Sequence, residues 1–226
     1  MTMNAAIIFF SLCLPIMADL AAGQQAMKNG DYATAIKEFL PLAKQGNAVA
    51  QVNLGTIYHL GQGVAQDYKE ALRWYRLAAD QGNAVAQAGL GVMYIQGHGV
   101  PQDYKEALRW FRLAADQGDA SAQASLGFMY SEGHGVPKDY TEAARWFGLA
   151  AEQGNATAQA NLGVMYAHGH GVAQDYIRAH LWLNLAAAGG DSEAVEFRDT
   201  LASKMTPDQI AEAQRLAREW KPKTSR

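Results

Sequence analysis

Apolar side chains fall three and four positions apart along most of this chain, and the pattern restarts every 36 residues. In Asn47-Ala-Val-Ala-Gln-Val-Asn-Leu-Gly-Thr-Ile-Tyr the apolar positions keep a helical rhythm and not the alternation of a strand. They predict a helix, A, running to about Leu60. Gly61-Gln62-Gly63-Val64 then supplies two glycines free to take positive φ, and Asp67 stands where an N-cap should precede the next apolar face. A second helix, B, is predicted from about Tyr68. It carries Ala71, Leu72, Trp74, Tyr75, Ala78 and Ala79 at helical spacing and stops at Gln81-Gly82, with Gly82 as a left-handed cap.

The anchors of this hairpin recur. Tyr68, Tyr104, Tyr140 and Tyr176 step by 36, as do Trp74, Trp110, Trp146 and Trp182, and Gly55, Gly91, Gly127 and Gly163. A period between about 20 and 50 residues marks a stacked array, because a lone hairpin cannot bury its own apolar stripes. Four units are predicted, at 47–82, 83–118, 119–154 and 155–190. Asp31-Tyr32, Ala35, Phe39 and Gln45-Gly46 repeat the helix B half one period earlier, so 19–46 is expected to form an N-terminal capping hairpin. Ser192 to Ser203 takes a helix A position without the Leu-Gly pair, and Thr206-Pro207-Asp208-Gln209 reads as a capping box opening a last helix. Residues 191–220 are therefore expected to cap the other end, and 221–226 to be a disordered tail. Glycine in mid-helix costs about 1 kcal/mol against alanine. Its recurrence at Gly55, Gly91, Gly127 and Gly163 implies that a neighbouring helix crosses there.

The string Ala50-Gln51-x-x-Leu54-Gly55-x-x-Tyr58-x-x-Gly61-x-Gly63-Val64-x-x-Asp67-Tyr68-x-x-Ala71-x-x-Trp74-Tyr75-x-x-Ala78-Ala79-x-x-Gly82 closely resembles the Sel1-like repeat, a relative of the tetratricopeptide repeat. The resemblance covers about Asp31 to Gly190, and the flanks look like the caps of exported bacterial members. It implies an all-α, right-handed α-solenoid with helix A lining the concave face. It also implies a non-enzymatic scaffold or adaptor that binds a protein or peptide and regulates an envelope or signalling complex.

Composition narrows the choice of partner. The formal net charge is -3, which gives no basic field for a phosphate backbone, so nucleic acid is not expected. The single cysteine, Cys13, permits no intramolecular disulfide and no CxxC zinc pattern. Cys13 lies in the apolar run Ala5 to Met17, which is too short to span a bilayer and ends before Ala18-Asp19. Residues 1–18 are expected to be a cleaved signal peptide, leaving a periplasmic or secreted monomer with no membrane span. A first helix that stays attached is the alternative.

Columns that vary between units mark either relaxed packing or a surface read by a partner. In helix A they include Val52, Thr56 and His59, then Ala88, Val92 and Ile95, then Ala124, Phe128, Ser131 and Glu132, and finally Val164 and His168. Offsets of three and four place them on one stripe. The stripe offers apolar footing with polar edges for a helix or extended peptide, or else completes interhelical packing. Ile95 and Phe128 are the apolar or outsized members of variable columns. The stripe lacks the Lys, Arg and Asn of a carboxylate clamp. No cofactor or metal is expected: His98, His134 and His170 recur in Gly-x-Gly loops one period apart, too far to share an ion at about 2 Å. The repeated tryptophans are assigned to the core, and the Glu70/Arg73, Glu106/Arg109 and Glu142/Arg145 pairs to solvated faces. No GxSxG, GxxxxGK[ST], HExxH or Ser-x-x-Lys motif occurs. A cell-wall-fragment or β-lactam binding protein or hydrolase is the alternative from another class.

Overall fold

A computed structural model of the chain describes residues 20–223. The expected signal peptide, 1–18, lies outside the described residues, as do 224–226. Helix α1 covers 20–28. It is followed by α2 (Tyr32–Lys44), α3 (Ala48–Leu60), α4 (Tyr68–Ala79), α5 (Ala84–Gln96), α6 (Tyr104–Asp116), α7 (Ala120–Glu132), α8 (Tyr140–Glu152), α9 (Ala156–His168), α10 (Tyr176–Ala188), α11 (Ser192–Ala202) and α12 (Pro207–Glu219). Among the described residues there is no strand, and no helix is long and apolar enough to cross a membrane. The helices fall into two compact units, the first ending at Asp103 and the second beginning at Tyr104. In the first, α3 packs on α2 and α4, and α5 on α4. In the second, α7 packs on α6 and α8, α9 on α8 and α10, and both α11 and α12 on α10.

The turns form as their residues require. Gly61 and Gly63 adopt φ of 66° and 71°, and Gly82 one of 86°. Asp67 accepts from the Lys69 and Glu70 amides, both at 3.0 Å, and its own N–H donates to the Tyr58 carbonyl at 3.0 Å. One aspartate thus starts helix B and ties the loop to helix A. Asp139 repeats both roles. At the far end Thr206 and Gln209 complete the capping box opening α12.

The helix that crosses Gly55, Gly127 and Gly163 is helix B of the same hairpin. An added Cβ would lie 2.7 Å from Tyr75 Cδ1 at Gly55, 2.7 Å from Phe147 Cδ1 at Gly127 and 2.8 Å from Leu183 Cγ at Gly163. Trp74, Trp110 and Trp146 are buried, but Trp182 is only half-buried. Its partner comes from the end of the chain: Trp220 meets it edge-on with ring centroids 6.3 Å apart. The arginines assigned to solvated faces also cover these indoles, with Arg73, Arg109 and Arg145 lying 3.9, 4.3 and 4.0 Å from the ring centroids. The tail is placed as far as Lys223, which donates through its N–H to the Glu152 carbonyl at 2.7 Å and pairs with the Glu152 carboxylate at 2.8 Å.

Successive hairpins are joined by polar contacts at three fixed columns. Gln51, Gln87, Gln123 and Gln159 are the buried polar residues of helix A in their hairpins. Each donates to a carbonyl at the end of the preceding helix B: Ala43, Ala79, Ala115 and Ala151, at 3.0 to 3.4 Å. Gln123 also accepts from Gln153 at 2.7 Å. Gln123→Leu takes one of two donors from the Ala115 carbonyl, which keeps the Gly118 N–H at 2.9 Å, and is expected to cost about 1 kcal/mol by urea denaturation. The second joint is a ring stack. His98 lies on Tyr68 with centroids 3.9 Å apart, His134 on Tyr104 at 4.7 Å and His170 on Tyr140 at 4.9 Å, all within 20° of parallel. The third runs from Arg76 to the Tyr94 hydroxyl at 2.8 Å and from Arg112 to the Tyr130 hydroxyl at 2.6 Å.

Candidate partner-binding face

The stripe residues sit along helix A of each hairpin, and the structure separates them into two kinds. Thr56 and His59 are tied into the frame. The Thr56 hydroxyl donates to the Val52 carbonyl at 3.1 Å and lies 3.0 Å from the Tyr75 hydroxyl. His59 Nε2 lies 3.1 Å from His98 Nδ1, inside a cluster that includes the Tyr68 and Tyr75 rings. Ser131 turns back on its own helix, donating to the Phe128 carbonyl at 2.9 Å. His168 Nδ1 is 3.0 Å from the Val164 carbonyl.

The second kind remains open to solvent. Val52, Ala88, Val92, Ile95, Ala124 and Val164 are half-buried, Glu132 is exposed, and Phe128 is 49% exposed, its ring edge-on to that of His134 with centroids 5.6 Å apart. On the first unit the face offers Val52, Val92 and Ile95; on the second it offers Phe128 and Val164.

A pocket of about 680 Å³ opens at the C-terminal end of the second unit's face, between α9 and α11. Ala160, Val164, Leu183, Ala194 and Phe197 make its apolar floor and wall. All three charged residues that line it, Asp191, Glu193 and Glu196, are carboxylates. Asp191 also caps α11, accepting from the Ala194 amide at 2.9 Å. The Phe197 ring reaches the His168 ring at 5.8 Å and so extends the stripe from α9 onto α11.

Phe197 was absent from the stripe expected from the sequence, although a signal was available. In the four preceding periods its column holds Asn161, Ser125, Gly89 and Asn53. Phe197 is therefore the outsized member of a small, polar column, which is the criterion that singled out Phe128. The carboxylates carry no such signal, because α11 lacks the Leu-Gly pair and departs from the repeat frame.

Two histidines give the fold a pH dependence. Burial first, and then the neighbouring His98, holds His59 below the ordinary imidazole value of 6.5. Burial first, and then Arg198, does the same to His180, against an opposing pull from Asp199. His180 Nδ1 lies 3.1 Å from Asn184 Nδ2 on its own helix. Both rings are harder to protonate folded than unfolded, so their contribution is full above pH 6.5 and is lost as the pH falls below it. The melting temperature is expected to drop between about pH 7 and about pH 5.5, and the drop should flatten in the double variant His59→Gln, His180→Gln. The recurring histidines face tyrosines, and among the described residues no group of three or more His, Cys, Asp or Glu could hold a metal ion.

Helical hairpins joined at periodic polar contacts define an array-type, all-α protein. The Sel1 repeat family model matches residues 48–83, 84–119, 120–155 and 156–191, and the chain belongs to the Sel1 repeat family. A Sel1 repeat protein from Oxalobacter formigenes is 33% identical, with a TM-score of 0.76 over 89% of this chain and 82% of that one. The crystal structure of c5321, a protective antigen present in uropathogenic Escherichia coli strains and displaying an SLR fold, is 34% identical with a TM-score of 0.75. That match covers 90% of this chain but 46% of the antigen, so the chain spans about half the antigen's length. A putative Sel1 repeat protein from Klebsiella pneumoniae subsp. pneumoniae shares the fold at 22% identity and a TM-score of 0.56, over 83% of this chain and 93% of that one. No curated protein matches the chain. Sel1 repeats generally mediate protein–protein interactions and are generally non-catalytic.

Proposed function

We propose that the chain is a non-enzymatic adaptor that binds a protein or peptide along its helix A face, with an apolar side chain of the partner anchored between α9 and α11. The observation that carries this reading is the pocket in which Val164, Leu183 and Phe197 meet three carboxylates and no cation. An apolar cavity favours a large aliphatic or aromatic side chain, and the carboxylates select lysine or arginine on either side of it. The half-exposed Phe128 gives the same partner a second foothold. Peptides with this pattern occur in helical and extended form alike, and either can lie along a helix face.

The partner belongs, on this reading, to an envelope or signalling complex, and the chain works as an exported monomer. The apolar run Ala5 to Met17 supports export, as does the description of the uropathogenic relative as a protective antigen. The acidic balance of the chain sets it apart from nucleic-acid binders.

Panning a random peptide library on the purified chain tests the reading. Selected peptides should carry one large apolar residue flanked by Lys or Arg, and their binding should weaken as salt rises. Enrichment of acidic peptides, or binding that ignores Glu193→Lys and Glu196→Lys, would count against it.

A further inference from the structure

The Arg–Tyr joint between hairpins is missing at one step. Arg76 and Arg112 reach Tyr94 and Tyr130 at 2.8 and 2.6 Å, but the next member of that arginine column is Gly148. A Cβ built on Gly148 meets nothing within 4 Å. The column four residues earlier shrinks as well, since Leu72 and Leu108 are followed by Ala144. Together the two truncations accompany a pocket of about 320 Å³, lined by Ala144 and Gly148 of α8, Leu162 and Tyr166 of α9 and Trp182 of α10, with Arg145 and Glu152 as its charged residues. The Tyr166 hydroxyl is left with a 3.4 Å contact from Arg178 Nη1, long beside its counterparts.

We propose that this pocket receives the guanidinium of an arginine side chain from a protein partner, seated as Arg76 and Arg112 are seated in the earlier hairpins. A planar fork of five donors finds the Tyr166 hydroxyl and the Glu152 carboxylate on the walls of one cavity, and the Trp182 indole offers a face to stack on. A lysine ammonium has the charge without the fork or the plane. The cations already present are engaged: Arg145 with Glu142 at 2.9 Å, Arg178 with Asp175 at 3.5 Å, and Lys223 with Glu152 at 2.8 Å. Lys223 is the group the incoming guanidinium displaces. Its side chain is 71% exposed and that of Glu152 40%, so this pair is weakly held. The site uses α8, α10 and the Leu162 and Tyr166 positions of α9, none of which belongs to the helix A stripe.

Titration of the full chain with N-acetyl-arginine amide, followed by amide and indole NMR shifts, tests the proposal. Saturable shifts are expected at Gly148, Tyr166 and the Trp182 indole, with lysine amide binding about fivefold more weakly or worse. Gly148→Arg should rebuild the joint, raise the melting temperature and abolish the shifts, while Glu152→Gln should weaken binding without altering the fold. The proposal is overturned if arginine and lysine amides behave alike, if the shifts lie elsewhere, or if both variants bind as the parent does. Failure here leaves peptide binding at α9 and α11 standing, and the reverse holds.

Discussion

Gly127→Leu is expected to destabilise the second unit by about 3 kcal/mol or more. Helix propensity alone predicts the opposite, since replacing a mid-helix glycine with a good helix former gains up to about 1 kcal/mol. Packing decides the sign. The new Cβ would lie 2.7 Å from Phe147 Cδ1 and 2.7 Å from its Cγ, and Phe147 is itself 2% exposed, so the ring has no free space to retreat into. Relief requires α7 and α8 to part, which unseats Ala143, Ala150 and Leu162 from the same cluster. At about 2–4 °C per kcal/mol for a chain of this size, the melting temperature should fall by roughly 6–12 °C. Gly148→Ala is the internal control. With nothing within 4 Å of its Cβ it should gain up to about 1 kcal/mol. Because arrays of repeats open locally, hydrogen exchange should place the Gly127→Leu loss in α7 and α8. Equal effects of the two substitutions would refute the close approach.

Phe197→Asp is expected to weaken binding of the panned peptide by about thirtyfold or more, the loss of an anchor worth about 2 kcal/mol. The substitution removes the aromatic wall of the pocket and adds a fourth carboxylate to the three already there. Phe197 is half-buried on α11, where its ring meets His168 at 5.8 Å and packs on the outside of the cluster built by Leu183, Ala194 and Leu201. The fold should therefore survive, which circular dichroism and the melting temperature can verify. Phe197→Leu keeps an apolar wall and should retain most of the affinity. A peptide that binds Phe197→Asp as well as the parent does not use this pocket.

The period made much of the fold legible. Residues that return every 36 positions identify the helix pair, and Asp67, Gly61 and Gly82 announce its ends by capping chemistry that operates within a few residues. What stayed hidden are contacts between different columns. His98 stacks on Tyr68, Arg76 bonds Tyr94, and Gln51 reaches Ala43, at separations of 30, 18 and 8 residues that the period does not contain. The buried glutamines left one trace, a polar residue kept in every copy of helix A. The ends of the array were hardest to read, because there the frame stops constraining the sequence. Trp182 loses part of its cover and gains Trp220, and α11 trades the Leu-Gly pair for Phe197 and its carboxylates. Of the expected stripe, Thr56 and His59 proved to be bonded within the frame, while Ile95, Phe128 and Val164 remain accessible.

A rival apolar surface makes the central claim easy to expose to failure. Leu77, Leu113 and Leu149 recur on helix B and, at 41, 40 and 38%, are more exposed than the apolar stripe residues of helix A other than Phe128. Site-specific photo-crosslinking in the native host, with benzoylphenylalanine at Phe128 or Val164 on one face and at Leu113 or Leu149 on the other, decides between them. The account predicts that one partner is captured from Phe128 and Val164, and that the capture is lost when Phe197→Asp is added. Capture of that partner from Leu113 and Leu149 instead, undisturbed by Phe197→Asp, would contradict it.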